Sequence, residues 1–235
     1  MKRFSDQKRV LPAFPRTPHL PWSQNTEDDD LIAEQAELQP LFDNPVNVEE
    51  KIDGASVGMT FWQGHPLIRN RDHILRKGYV KDTPAKKQFA PIWNWFYDNQ
   101  KKFEYILSHG PLSVYGEWMV ARHGIYYDRL PDLFIAYDVY NYEADYFLSP
   151  TIARPMLEEC GFAIPRLFHQ GDPLPSELPD WINSQGQWCD SVVEGLYFKV
   201  HNGERITHRF KQVSDQFVRG QFWDGKTLLK NGVAK

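Results

Sequence analysis

Apolar and polar residues alternate with a period of two over much of the chain, and helical spacing is the exception. Residues 46–53, 55–62 and 66–71 predict strands, with turns at Gly54 and at Gln63-Gly64. Residues 84–107 carry Phe89, Ile92, Trp93, Phe96, Phe103, Ile106 and Leu107 at the spacing of one helical face, and Gly110 is a plausible stop. Residues 112–120 and 133–141 return to strand character. Ser149-Pro150 reads as a helix start and Gly161 as its end, with a kink expected at Pro155. A further short helix is expected over 176–184. Residues 191–200 and 204–213 flank Asn202-Gly203, the strongest short hairpin signal.

Residues 1–45 are rich in proline and polar side chains, with little periodicity before Leu31. They predict an extended leader packed over a body spanning 46–235, with a short helix near 30–38. Strands dominate, helices are interspersed and hairpins are local. The expected fold class is mixed α+β with antiparallel sheets, not a parallel βαβ array.

Composition adds mainly exclusions. The chain has 235 residues, 41 % hydrophobic and 25 % charged, ordinary for a globular protein. A chain of this length buries roughly 70–75 % of its unfolded surface. Cys160 and Cys189 make neither a disulfide framework nor a zinc pattern. No apolar run approaches the roughly 20 residues that span a bilayer, and the N-terminus lacks the apolar core of a signal peptide. A soluble, cytoplasmic, monomeric protein without membrane contact is expected. The net charge of −4 hides uneven regions. Glu27 to Asp30 are acidic, whereas Arg69, Arg71, Arg76, Lys77, Lys81, Lys86 and Lys87 face only Asp72 and Asp82. Such a basic stripe suits phosphate binding, although charge alone favours a solvated face.

The chemistry concentrates in Glu49-Glu50-Lys51-Ile52-Asp53-Gly54. A lysine at a strand end, then an acid and a glycine, is an unusual arrangement, and the glycine permits a tight turn close to a ligand. At an ordinary pKa only about one lysine in a few thousand is neutral at pH 7, and the flanking acids lower that fraction further. A nucleophilic Lys51 therefore needs burial, a divalent cation or basic neighbours to outweigh them. Taken alone, the six residues fit a surface salt-bridge cluster.

Four further segments follow in order: Val114-Tyr115-Gly116-Glu117; Asp132-Leu133-Phe134-Ile135-Ala136-Tyr137-Asp138; Val193-Glu194-Gly195-Leu196-Tyr197-Phe198-Lys199; and Arg209-Phe210-Lys211. The set resembles the covalent nucleotidyltransferases, the ATP-dependent polynucleotide ligases and capping guanylyltransferases, in which Lys-x-Asp-Gly, a strand-end Glu, an aromatic-bearing strand, Glu-Gly and a basic-x-Lys pair recur in this order. Arg16-Thr17-Pro18-His19-Leu20-Pro21-Trp22-Ser23, the acids at 28–30, and the run from Gly116 to Asp128 resemble small RNA ligases of bacteria and their phages. The stretch from Lys211 to Lys235 is too short for an OB-fold domain, and this disfavours a capping enzyme. One departure is Arg209, where many relatives carry lysine.

The resemblance implies an antiparallel-sheet nucleotidyltransferase domain without an OB domain. It also implies ATP and Mg2+ or Mn2+ as cofactors and RNA or RNA–DNA duplex ends as partners. Lys51 would carry AMP. Lys211 and Arg209 would neutralise phosphate, Glu117 would take the ribose, and Glu194, with Asp53, the metal. Phe134 would stack on adenine, Glu49 or Glu50 would read its edge, and Gly54 would shape the nucleotide-side turn. Arg69 would contact the ribose or the incoming phosphate, and Arg71, Arg76, Lys77, Lys81 and Arg122 would track nucleic acid. His19 stands out among the histidines by its place in the leader. The expected activity is RNA ligation, with sealing of nicks that carry an RNA 3′-hydroxyl. The alternatives are sealing of DNA or mixed nicks, and a non-catalytic nucleotide-binding relic.

Overall fold

The computed structural model describes residues 2–78, 83–175, 178–221 and 227–234. The first strand, β1 (Val46–Lys51), runs into the turn at Gly54. Beyond it β2 (Ala55–Trp62) and β3 (His65–Asn70) form a hairpin. Gln63 and Gly64 both take positive φ, 52° and 76°, as a type I′ turn needs. The strands β4 (Leu112–Trp118), β5 (Phe134–Asn141) and β6 (Tyr146–Phe147) complete a five-stranded antiparallel sheet in the order β3-β2-β4-β5-β6. A second sheet has the order β7-β1-β8-β9, with β7 (Leu167–Gln170), β8 (Gly195–Asn202) and β9 (Arg205–Val213). The last hairpin turns one residue later than Asn202-Gly203 predicts. Asn202 pairs with Arg205, so Gly203 and Glu204 are central and only Gly203 has positive φ, 57°.

Helices cover one face of the five-stranded sheet. The predicted 84–107 helix is three pieces: α3 (Pro84–Lys87), α4 (Ile92–Asp98) and α5 (Gln100–Ser108), after α1 (Lys2–Val10) and α2 (Gln39–Asp43) in the leader. Pro91 and the non-helical Asn99 (φ −106°, ψ 14°) cause the breaks. The break at Asn99 lets Phe96 and Phe103 stack with centroids 4.2 Å apart. α6 (Pro150–Glu159) starts on the Ser149 cap as expected and continues through Pro155. Ile92, Phe96, Phe103, Ile106, Ala153 and Leu157 of these helices meet Val57, Met59, Val114, Trp118, Phe134 and Val139 of the sheet.

The leader is more structured than its sequence suggests. α1 replaces the extended start, with Lys8 and Arg9 in its last turn, where cations favour a helix end. Near 30–38 a single 3-10 turn forms at Gln35–Leu38, where the Glu37 carboxylate accepts the Glu34 N–H at 2.7 Å. Of the short helix expected over 176–184, residues 176 and 177 lie outside the described residues, and Trp181–Asn183 form a 3-10 turn. Val10 and Leu11 pack with Leu67, Tyr115 and Tyr140, while Leu20, Leu38 and Leu41 pack with Val46, Val48, Phe198, Val200 and Phe210. The leader thus clasps both sheets.

Candidate active site

Strand period explains the site. On β1, Val48 enters the apolar cluster with Phe198 and Val200 of β8 and Phe210 of β9. The intervening residues Glu49, Lys51, Tyr197, Lys199, Arg209 and Lys211 therefore share the opposite face. Register brings them side by side: Glu49 with Tyr197, Lys51 with Gly195, Lys199 with Arg209, and Tyr197 with Lys211. Across from them the five-stranded sheet presents Ser56, Glu117, Tyr137 and Asp138. A cavity of about 530 Å³ opens between the sheets, and the leader forms part of its wall through residues that include Phe14, Arg16, Thr17, Glu27 and Asp30.

Lys51 lies in this cavity with its Nζ 2.7 Å from both oxygens of Glu194. Burial opposes its charge, but Glu194, Glu117 and Asp53 outweigh burial and raise its pKa. Burial pushes the Glu117 carboxyl up to about 8 and the Glu194 carboxyl up to about 7, against the pull of Lys51. Burial also raises Asp53, whose Oδ2 accepts the N–H groups of Gly124 and Ile125 at 2.5 and 3.0 Å. Gly54 matters through close approach: a Cβ there would lie 2.7 Å from Met119 Sδ and 3.0 Å from Glu117 Cβ. At Gly195 a Cβ would lie 2.1 Å from the Gln212 carbonyl oxygen.

A charged network runs into the cavity wall at Glu49 and Lys199. The Lys199 ammonium is 1 % exposed and meets Glu49 at 2.6 Å, Asp138 at 2.9 Å and the Tyr137 carbonyl oxygen at 2.7 Å. Arg154 holds Glu49 at 3.0 Å and Arg209 holds Asp138 at 3.0 Å. Glu50 is held separately by Arg166 at 3.0 Å and accepts the Gln187 N–H. Both candidate readers of the adenine edge are therefore already engaged by cations, although both line the cavity.

Three expectations need correction. Phe134 is fully buried among Trp95, Trp118 and Phe162, outside the cavity wall. The aromatic residue that lines the cavity from this strand is Tyr137. Gly116 pairs with Ala136 but Tyr115 with Asp138, so Tyr137 is the extra residue of a β-bulge, which re-aims side chains. Arg69 is buried and donates to the carbonyl oxygens of Leu11, Asn70 and Arg71, fastening the leader. Arg71 lines the cavity in its place. Arg209 packs over the Phe147 and Phe14 rings, at 4.3 and 5.3 Å, and serves Asp138, while Lys211 lines the cavity.

Arg76 and Lys77 are exposed, with Lys77 over the Tyr97 ring. Arg122 lies over the Tyr126 ring beside a second cavity of about 320 Å³, and Lys81 lies outside the described residues. Lys199, Tyr137, Tyr197 and Arg219 line the site without having been singled out from sequence. For Tyr197 and Lys199 the signal was present, since they share the strand parity of Gly195.

His19 is fully buried. Its Nδ1 lies 2.9 Å from Ser23 Oγ and its Nε2 3.3 Å from Asp30. Burial and the Lys211 charge lower its pKa to about 4. Its neighbours in sequence pair with β9: the Leu20 N–H donates to the Lys211 carbonyl oxygen and the Lys211 N–H to that of Pro18.

For a divalent cation, the described residues hold no group of three or more His, Cys, Asp or Glu side chains suited to a metal. Glu117 Oε2, buried without a hydrogen-bond partner, suits a cation that takes its remaining ligands from water and phosphate.

The RNA ligase family model matches residues 44–213. Among solved structures, a variant of the Naegleria gruberi RNA ligase with ATP and Mn is similar at a TM-score of 0.56 and 16 % identity, covering 77 % of this chain and 52 % of that one. The same ligase with PPi matches at 0.57 and 16 %, covering 87 % and 61 %. The chain spans little more than half of those chains, and at such identity the likeness shows the fold alone. No curated protein matches. With the family model spanning every strand from β1 to β9, the chain belongs to the RNA ligase family.

Proposed function

We propose that the protein is an ATP-dependent RNA ligase, joining 3′-hydroxyl and 5′-phosphate ends as a cytoplasmic monomer. The observation that carries this reading is Lys51 in a cavity of nucleotide size, between Glu194, Glu117 and Lys211. The binding of ATP and Mn by the similar Naegleria ligase supports the same cofactors here.

Lys51 gives its proton to Glu194, whose raised pKa suits acceptance, and its amine attacks the α-phosphorus of ATP. A P–N bond forms and the bond to pyrophosphate breaks. A 5′-phosphate oxygen then attacks the same phosphorus and Lys51 leaves as the amine. Finally a 3′-hydroxyl oxygen attacks the 5′-phosphorus and AMP departs. Lys211 offsets charge on the phosphate oxygens through these steps. A divalent cation on Glu117 or Glu194 would neutralise phosphate charge. Tyr137 offers the base a ring face, with Tyr197 lying near-parallel to it at 6.5 Å.

Nucleic acid would approach along Arg71, Arg76 and Lys77, with Arg122 on another side. The favoured substrate is a nick with an RNA 3′-hydroxyl, sensed through its 2′-hydroxyl, and sealing should fall steeply with salt. The decisive experiment uses ATP labelled on the α-phosphate. Wild type should give an acid-labile adduct that Lys51→Ala lacks while remaining folded. An adduct that persists in the variant would overturn the reading.

A further inference from the structure

We propose that Arg219 binds the pyrophosphate portion of ATP, and that Glu27 of the leader competes with that pyrophosphate for the Arg219 guanidinium. The assignment rests on the reading of ATP as substrate.

Arg219 lies beyond the last strand, in none of the motifs that carry the family resemblance, yet it lines the same cavity as Lys51 and Lys211. One carboxylate ties it to the phosphate-side cation. Asp30 reaches Arg219 at 3.0 Å with one oxygen and Lys211 at 3.4 Å with the other. Two cations bridged by the oxygens of one anion are spaced to be bridged by oxygens of a polyphosphate. Lys51, Lys211 and Arg219 line one cavity, and burial, with the Lys51 and Arg219 charges, lowers the Lys211 pKa. Lys51 attacks at the α-phosphorus, so the charge gained by the leaving group falls to the other two cations. Arg219 is 37 % exposed, at the solvent side where a leaving group can depart.

The guanidinium also holds Glu27 at 2.8 Å. The two carboxylates occupy both terminal nitrogens of the guanidinium, Glu27 at Nη1 and Asp30 at Nη2, so an incoming polyphosphate oxygen must displace one of them. Glu27 is the one that can yield, since its side chain is 55 % exposed. Asp30 is 10 % exposed and fixed as well by the Glu27 N–H and Lys211. Burial works against the Asp30 charge, but the Glu27 N–H, Arg219 and Lys211 hold its pKa well below the ordinary carboxylate range.

The test uses the full chain with Lys51 adenylated, and pyrophosphate as the probe that reverses the adduct to ATP. Arg219→Ala should raise the pyrophosphate and the ATP needed for half-maximal rate about tenfold to a hundredfold, as loss of a charge-assisted bond does. Arg219→Lys should recover part of the loss. Glu27→Ala, on an exposed side chain, should lower both concentrations. Loss in Arg219→Ala should fall far more on these steps than on sealing of a pre-adenylated RNA end, which uses no pyrophosphate. A structural ion pair would instead give the same direction from either side. Shifts of equal sign in Arg219→Ala and Glu27→Ala, or an unchanged pyrophosphate requirement in Arg219→Ala, overturn the proposal. Failure of the ligase reading shows separately, as absence of any adduct on wild type.

Discussion

Lys51 and Glu194 meet because β1 and β8 are in a register that sets Lys51 against Gly195, one residue from the glutamate. Both Glu194 oxygens then lie 2.7 Å from the ammonium. The carboxylate keeps Lys51 protonated and is also the nearest base to which the proton can go. The raised Lys51 pKa leaves less free amine at neutral pH, so adduct formation should accelerate as pH rises. In Glu194→Gln the largest of the charges that raise it is gone, and the rising limb of the rate–pH profile should move to lower pH. The maximal rate should fall by about a hundred- to thousandfold. Profiles with the same midpoint in both proteins would contradict this coupling.

Glu117 makes a second, thermodynamic prediction. Burial raises its folded pKa from 4.5 to about 8, so between those values the native state holds more proton than the unfolded chain. Its stability contribution is full below pH 4.5 and is lost as pH rises toward 8, at up to about 1.4 kcal/mol per pH unit. Glu117→Gln cannot ionise. Its advantage over wild type in denaturant unfolding should therefore grow between pH 5 and 8. A pH-independent difference would refute the assignment.

Much of this was legible in the sequence because strand period and motif order are local properties. Lys51 and Lys211 share a face through regular register, which alternation predicts, whereas Glu117 on the other sheet and Glu194 just before β8 were legible through the motif order that carries the resemblance. Phe134 was misplaced because a strand rich in aromatics does not show by itself which face meets the cavity: Phe134 pairs with Trp118 on the helix-covered face, and Ile135 pairs with Glu117 on the other. Arg69 and Arg209 read as ribose or phosphate ligands from their places in the motifs of the resemblance, whereas the Leu11 carbonyl oxygen and Asp138 claim them through contacts distant in sequence. The leader hid its role because its order comes from pairing with β9 and from packing on both sheets.

The network around Lys199 is a stability prediction. Its ammonium meets three acceptors while 1 % exposed, and removing one partner from a buried ion pair costs about 3–5 kcal/mol. Lys199→Met should lose that much in urea unfolding, because Glu49 and Asp138 lose a shared cation. A loss below about 1 kcal/mol would mean that Arg154 and Arg209 alone satisfy the two carboxylates.

Phe134 and Tyr137 offer the sharpest division between structure and binding. Phe134 packs between Trp95 and Phe162 at centroid distances of 5.3 and 6.1 Å, and a buried Phe→Ala change costs about 3–5 kcal/mol. Tyr137 lines the cavity and donates from its hydroxyl to Glu117 at 3.5 Å. Loss of a ring beneath a base costs about 1–3 kcal/mol, close to tenfold or a hundredfold in affinity. Phe134→Leu should therefore lower the unfolding midpoint and leave the ATP concentration for half-maximal adduct formation within about twofold. Tyr137→Ala should raise that concentration about tenfold or more, and Tyr137→Phe should stay near wild type because it keeps the ring. Adduct titrations paired with unfolding curves separate the two effects. If Phe134→Leu weakened ATP binding and Tyr137→Ala did not, the base would lie on the far side of β5, and strand alternation would not set which side chain meets it.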